Sequence, residues 1–172
     1  MEYFTLIVKM ALGLTFLISG IAKVVDIRRV SQEQIGIFNK DFEKVIVVSM
    51  PFIEIFIGTS LINGKPNVLI NIITSLIILV FILLNLKDLH EGKNSECICF
   101  GKLIKTELGL GGVYHSMLLL VFLIPSFIWD SIPINSLIMH HGLMITISVF
   151  ITSFFLFLTG LFMRTTITLL YK

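Results

Sequence analysis

The chain of 172 residues holds two cysteines, and they lie two positions apart in Cys97-Ile98-Cys99-Phe100-Gly101. Two residues of extended chain separate α-carbons by roughly 7 Å, whereas a disulfide wants about 4.4–6.8 Å. Bridging this pair therefore requires a bent, strained backbone, and strained disulfides exchange readily. Gly92 and Gly101 supply backbone freedom around the pair. Lys102 and Lys105 favour the thiolate and Glu96 opposes it. Three readings remain open: thiol redox chemistry through Cys97 and Cys99, metal binding, and inert interfacial thiols. A metal site needs further ligands such as His90 or Glu96, and no second Cys/His pair has the usual spacing, so no metal is expected. Redox chemistry is the favoured reading.

A second set of residues places charge inside apolar sequence. Glu54 lies about ten residues into an apolar run, roughly 15 Å deep by helical rise. A carboxyl group at that depth is costly unless protonated, paired or facing a polar interior. Lys23, near the same-side end of the first run, is in reach as its partner. Thr15, Ser19 and Lys23 follow i, i+4, i+8 spacing and form one polar stripe; Asn67, Asn71 and Ser75 form another. Pro51 bends the second helix one turn before Glu54, and Gly58, one turn after, permits close packing. These residues read either as a polar pocket behind the cysteines or as interhelical glue. His140 and His141 read as interfacial. His90 and His115 are weaker candidates for tuning thiols or protons. Tyr3 and Trp129 have the character of interface anchors.

The elements that must carry these groups follow from composition. Apolar residues make up 56% of the chain, charged residues 14%, and the net charge is +2; the mean hydropathy is +0.99. A water-soluble globule or a disordered chain needs far more charge. A nucleic-acid partner needs a concentrated basic face, which is absent here. Bilayer-length apolar runs extend over about 3–25, 45–62, 68–86, 112–129 and 143–162. In lipid such runs satisfy their backbone as helices. The expected fold is an all-α membrane protein, a four-helix transmembrane bundle plus a fifth transmembrane helix, in a single membrane domain over 1–172. The fifth run is the one least tied to the rest. Lys9 and the charged end of the first run favour a retained helix over a cleaved leader. Eleven Lys and Arg fall on the face of loops one and three and the carboxyl end, against Lys9 and Lys65 on the other. Positive charge marks the cytoplasmic side, so the amino terminus is expected outside and the Cys-x-Cys loop in the cytoplasm of a cell-membrane protein.

Three motifs, in order, resemble the MauE (methylamine utilisation) branch of the DoxX-like membrane proteins. They are Gly13-Leu14-Thr15-Phe16-Leu17-Ile18-Ser19-Gly20-Ile21-Ala22-Lys23, Pro51-Phe52-Ile53-Glu54-Ile55-Phe56-Ile57-Gly58, and the Cys97–Gly101 segment. The family-like core covers about 3–129, with the span at about 143–162 additional. The resemblance implies a small helical bundle associated with thiol redox chemistry and with maturation of a disulfide-rich partner, alongside a thioredoxin-like protein. It points to Lys23, Glu54, Phe100 and Gly101 as a supporting pocket for Cys97 and Cys99. Where that family tends to carry an Arg-Asn pair, Tyr114-His115-Ser116 stands here. No cofactor is evident in the sequence. With no third cysteine, the electrons of the pair need another acceptor, either a quinone or thiols of a partner. The alternatives are a membrane scaffold or accessory subunit, and a metal-handling Cys-x-Cys protein.

Overall fold

The computed structural model describes residues 1–27, 40–64, 67–91, 96–97, 106–107, 110–129 and 131–170. Five long helices form the body: α1 (Glu2–Val25), α2 (Lys40–Ile62), α3 (Val68–Glu91), α4 (Leu110–Leu123) and α6 (Ile134–Leu170). The short α5 (Pro125–Ile128) prolongs α4 beyond a turn at Ile124, with its proline in the first turn, where a missing N–H costs nothing. Between α3 and α4 the strands β1 (Glu96–Cys97) and β2 (Thr106–Glu107) pair antiparallel, Cys97 opposite Thr106.

The all-α membrane architecture is the one the apolar runs predict. Among the described residues four helical segments, Glu2–Val25, Val68–His90, Leu110–Ile128 and Gly142–Leu170, are long and apolar enough to cross a membrane, and α2 adds the shorter apolar stretch Val48–Ile62. A 24-residue helix such as α1 rises about 36 Å, more than a hydrocarbon core.

The first helix is the hub. It packs along α2 and against α6 and α4, while α3 packs mainly on α4. Val8, Leu12 and Phe16 of α1 meet Ile57 and Leu61 of α2, Ile78 and Ile82 of α3, and Leu119 and Leu123 of α4. Lipid tails are as apolar as these side chains, so close van der Waals fit holds the helices together. Glycines make that fit possible between α1 and α2. A Cβ on Gly58 would stand 2.7 Å from the Leu17 amide nitrogen, and one on Gly20 would stand 2.8 Å from the Pro51 carbonyl oxygen.

The last helix differs from expectation in two ways. It is not loosely attached: Leu137 and Val149 pack with Leu6 and Met10 of α1, and Ser153, Phe157 and Arg164 are buried. It also runs past 162 to Leu170, so that Arg164, counted in sequence as a charge beyond the span, is a helical residue only 3% exposed. His140 and His141 are helical as well. The break falls at Gly142, whose φ of 78° and ψ of 170° separate the arm 134–141 from the membrane-length segment. That backbone region is essentially restricted to glycine.

Candidate functional site

Among the described residues Glu54 is the most deeply buried acid, with no exposed surface. α2 delivers it to the face covered by α1, and α1 answers with its polar stripe. Lys23 Nζ donates to Glu54 Oε1 as an ion pair, and Ser19 Oγ donates to Glu54 Oε2 at 3.0 Å. Both carboxylate oxygens are thus engaged. The Lys23 ammonium also stands 5.1 Å from the Phe81 ring centroid, so α3 closes the site through a cation–π contact. Thr15, the third residue of the stripe, is spent elsewhere. Its hydroxyl donates to the Ala11 carbonyl at 2.9 Å, and it lines a crevice between α1, α4 and α6 with His115 and Gly160 that has room for about one water molecule.

The geometry explains how an acid survives at that depth. Desolvation penalises both charges, and only a close partner plus hydrogen bonds to the remaining lone pairs offsets it. The glycines at 20 and 58 let the two backbones approach, which shortens the reach Lys23 has to span.

The strand that carries Cys97, which follows α3 in the chain, lies at the same end of the bundle. Cys97 is on β1, and β2 lies beside α6 and precedes α4 in the chain by two residues. The first turn of α4 is wedged between two neighbours through consecutive glycines. A Cβ on Gly111 would fall on Thr168 Oγ1 and stand 2.8 Å from the Arg164 carbonyl oxygen, both on α6. A Cβ on Gly112 would fall on the side-chain amide of Asn85 on α3. Thr168 Oγ1 is itself fixed, donating to the Arg164 carbonyl at 2.9 Å, and Asn85 Nδ2 donates to the Phe81 carbonyl at 2.7 Å. One turn on, His115 is 5% exposed, its Cε1 3.6 Å from where a Cβ on Gly160 would sit. Cys99, Phe100 and Gly101 lie outside the described residues, as does the Cys97 side chain.

The opposite end of the bundle carries a second polar knot. Lys9, 1% exposed, donates from Nζ to Ser131 Oγ at 3.0 Å, and Ser131 donates to the Gly64 carbonyl at 2.6 Å. The Ile134 amide donates to the Asn63 carbonyl at 3.3 Å, and Asn71 Nδ2 donates to the Ser126 carbonyl at 2.9 Å. Lys9 was counted in sequence as a charge of that face; it is a buried residue tying the α2–α3 turn to the α5–α6 connection. The sequence signal was present, since a lysine about two turns into an apolar run needs an acceptor, but the acceptor is 122 positions away. Asn67 has a different job from its stripe partners: its Oδ1 accepts from the Leu69 amide at 3.0 Å and caps α3.

Among the described residues no three His, Cys, Asp or Glu side chains gather as a metal site. The family model described as methylamine utilisation protein MauE matches residues 1–129, three quarters of the chain. The chain belongs to the MauE family. The match spans α1 to the end of α5 and takes in the Lys23–Glu54 pair, both strands and the Gly111-Gly112 step; α6 lies beyond it. No curated protein and no solved structure matches the chain significantly. The protein is thus a multi-span membrane member of a methylamine-utilisation family, and the helix beyond the matched residues packs into its core.

Proposed function

We propose that this MauE-family protein is the membrane component of a thiol–disulfide exchange, with Cys97 and Cys99 as the exchanging pair. The observation that carries this reading is the placement of Cys97 on a strand paired to the lead-in of α4, at the end of the bundle where Lys23 and Glu54 are buried. The spacing of the two cysteines supplies the chemistry, because a strained disulfide is one that transfers readily. In the exchange, the two thiols would lose two electrons and two protons as the Cys97–Cys99 bond forms. A partner disulfide, reduced to two thiols, takes them up; a membrane quinone reduced to quinol is the alternative acceptor. A thioredoxin-like protein fits the partner role, and maturation of a disulfide-bearing substrate protein fits the outcome.

Lys23 and Glu54 form the floor of the site, with Phe100 and Gly101 completing the cysteine segment. The excess of Lys and Arg on that face puts it in the cytoplasm of the cell membrane, with the amino terminus outside.

The test is Cys97→Ser and Cys99→Ser, singly and together, in a strain that depends on the protein. Loss of partner maturation with the variants inserted at normal level supports the exchange reading. Full function of the double variant overturns it and leaves a scaffold or accessory role. Stoichiometric metal in the purified protein, lost in the double variant, would move the assignment to metal handling.

A further inference from the structure

Resting on that reading of Cys97 and Cys99, we infer that the Gly111-Gly112 step, clamped by Thr168 of α6 on one side and Asn85 of α3 on the other, is a socket that positions the cysteine hairpin and thereby sets the exchange equilibrium of its thiols. Thr168 and Asn85 are positioning residues in this scheme.

The connection is short and can be followed residue by residue. Cys97 pairs in register with Thr106. Only residues 108 and 109 separate β2 from Leu110, the first residue of α4. The next two residues are the glycines, each with a side chain standing where its own Cβ would be. The β2 backbone also lies beside α6. In this scheme a displacement of α4 at its first turn shifts the strand that holds Cys97.

The clamp is hydrogen-bonded on both sides. Thr168 Oγ1 is held by its bond to the Arg164 carbonyl, and that carbonyl is the second atom Gly111 rests on. Asn85 is held by its bond to the Phe81 carbonyl, and Phe81 is the residue under the Lys23 ammonium. The socket therefore joins the cysteine hairpin to the buried ion pair through one helix. Half of the socket comes from α6, which lies beyond the residues that family membership accounts for.

Such a socket matters because the Cys-x-Cys spacing opposes a relaxed disulfide. A hairpin held tightly keeps the strain in the oxidised form, and strain raises the reduction potential. Loosening the socket lets the backbone adjust and favours the disulfide.

The experiment is a redox titration of the full-length protein in membranes against mixtures of reduced and oxidised glutathione, with the thiols counted by a mass-tagged maleimide. In each turnover two protein thiols form one S–S bond, the glutathione disulfide is cleaved, and the two protons pass to the two glutathione thiols formed. Thr168→Ala, which removes the fixed hydroxyl and adds no atoms, is expected to shift the equilibrium constant at least tenfold towards the disulfide, about 30 mV. Thr168→Ser keeps the hydroxyl and is expected to titrate as wild type. Gly111→Ala, which forces α4 off its seat, is expected to shift the equilibrium constant at least as far as Thr168→Ala. Gly160→Ala on α6, the helix of Thr168, whose Cβ would meet only ordinary contacts from 3.6 Å, serves as a control and is expected to leave the midpoint unchanged. Wild-type midpoints for both Thr168→Ala and Gly111→Ala would overturn the socket while leaving the exchange reading intact. A wild-type protein with no glutathione-sensitive fraction at any ratio would overturn both.

Discussion

Glu54 of α2 and Lys23 of α1 form a buried ion pair in which the acid has no exposed surface and the base is 7% exposed. Ser19 holds the second carboxylate oxygen and Phe81 lies beside the ammonium. Three helices therefore meet at one pair of charges, and their mutual register depends on it.

Removing one partner strands the other. Glu54→Gln and Lys23→Met are each expected to lower stability by about 3–5 kcal/mol, because an uncompensated buried charge or its polar remnant is left behind. The double variant Lys23→Met/Glu54→Leu is expected to recover most of that loss, since apolar replacement of a whole buried pair is often near neutral. Thermal unfolding in detergent of the two singles and the double checks this. A double variant as unstable as the sum of the singles would show that the pair is not the coupling.

Gly58 and Gly142 are both irreplaceable for different reasons. At Gly58 the obstacle is space: a Cβ there meets the backbone of Leu17 at 2.7 Å, so Gly58→Val is expected to push α1 and α2 apart and abolish stable insertion. Gly142 has open space around it but a φ of 78° and ψ of 170°. Gly142→Ala is expected to cost about 1–3 kcal/mol from backbone strain alone. Expression level and melting temperature separate the two, with Gly160→Ala as the mild reference.

Lys9 holds two loops through one hydroxyl. Ser131→Ala removes the acceptor of the lysine and the donor to Gly64 together, with an expected loss of about 1.5–3 kcal/mol for the charged bond. Amide exchange around residues 62–64 and 131–134 is expected to rise in step, while the Lys23–Glu54 end stays protected. Equal deprotection at both ends would mean that the knot supports the whole bundle rather than its own end.

The side of the membrane on which Cys97 lies can be read by thiol labelling in intact cells. The positive-charge bias leads to protection from a membrane-impermeant maleimide until the cells are opened, with part of the labelling dependent on prior reductant. Labelling by the impermeant reagent in intact cells, after reduction alone, would place the pair outside.

The apolar runs specify the long helices among the described residues without any tertiary information, because a backbone in lipid has no other way to satisfy its hydrogen bonds. Depth along those runs was enough to bring Lys23 and Glu54 to the same level, and the i, i+4 stripe from Thr15 to Lys23 showed which face of α1 is polar. Helical periodicity says which residues share a face, and not which neighbour that face meets. For that reason Thr15 and Ser19, alike in sequence, serve different partners, one towards α4 and α6 and the other towards α2. Lys9 and Arg164 looked like loop-side charges because their burial depends on chain that arrives much later, or on a helix that outlasts its apolar run. The seating of Gly111 on Thr168 and of Gly112 on Asn85 was decided only when three helices packed together. Close packing is a property of surfaces brought together, and residues 57 positions apart along the chain carry no local sign that one must be a glycine for the other to fit.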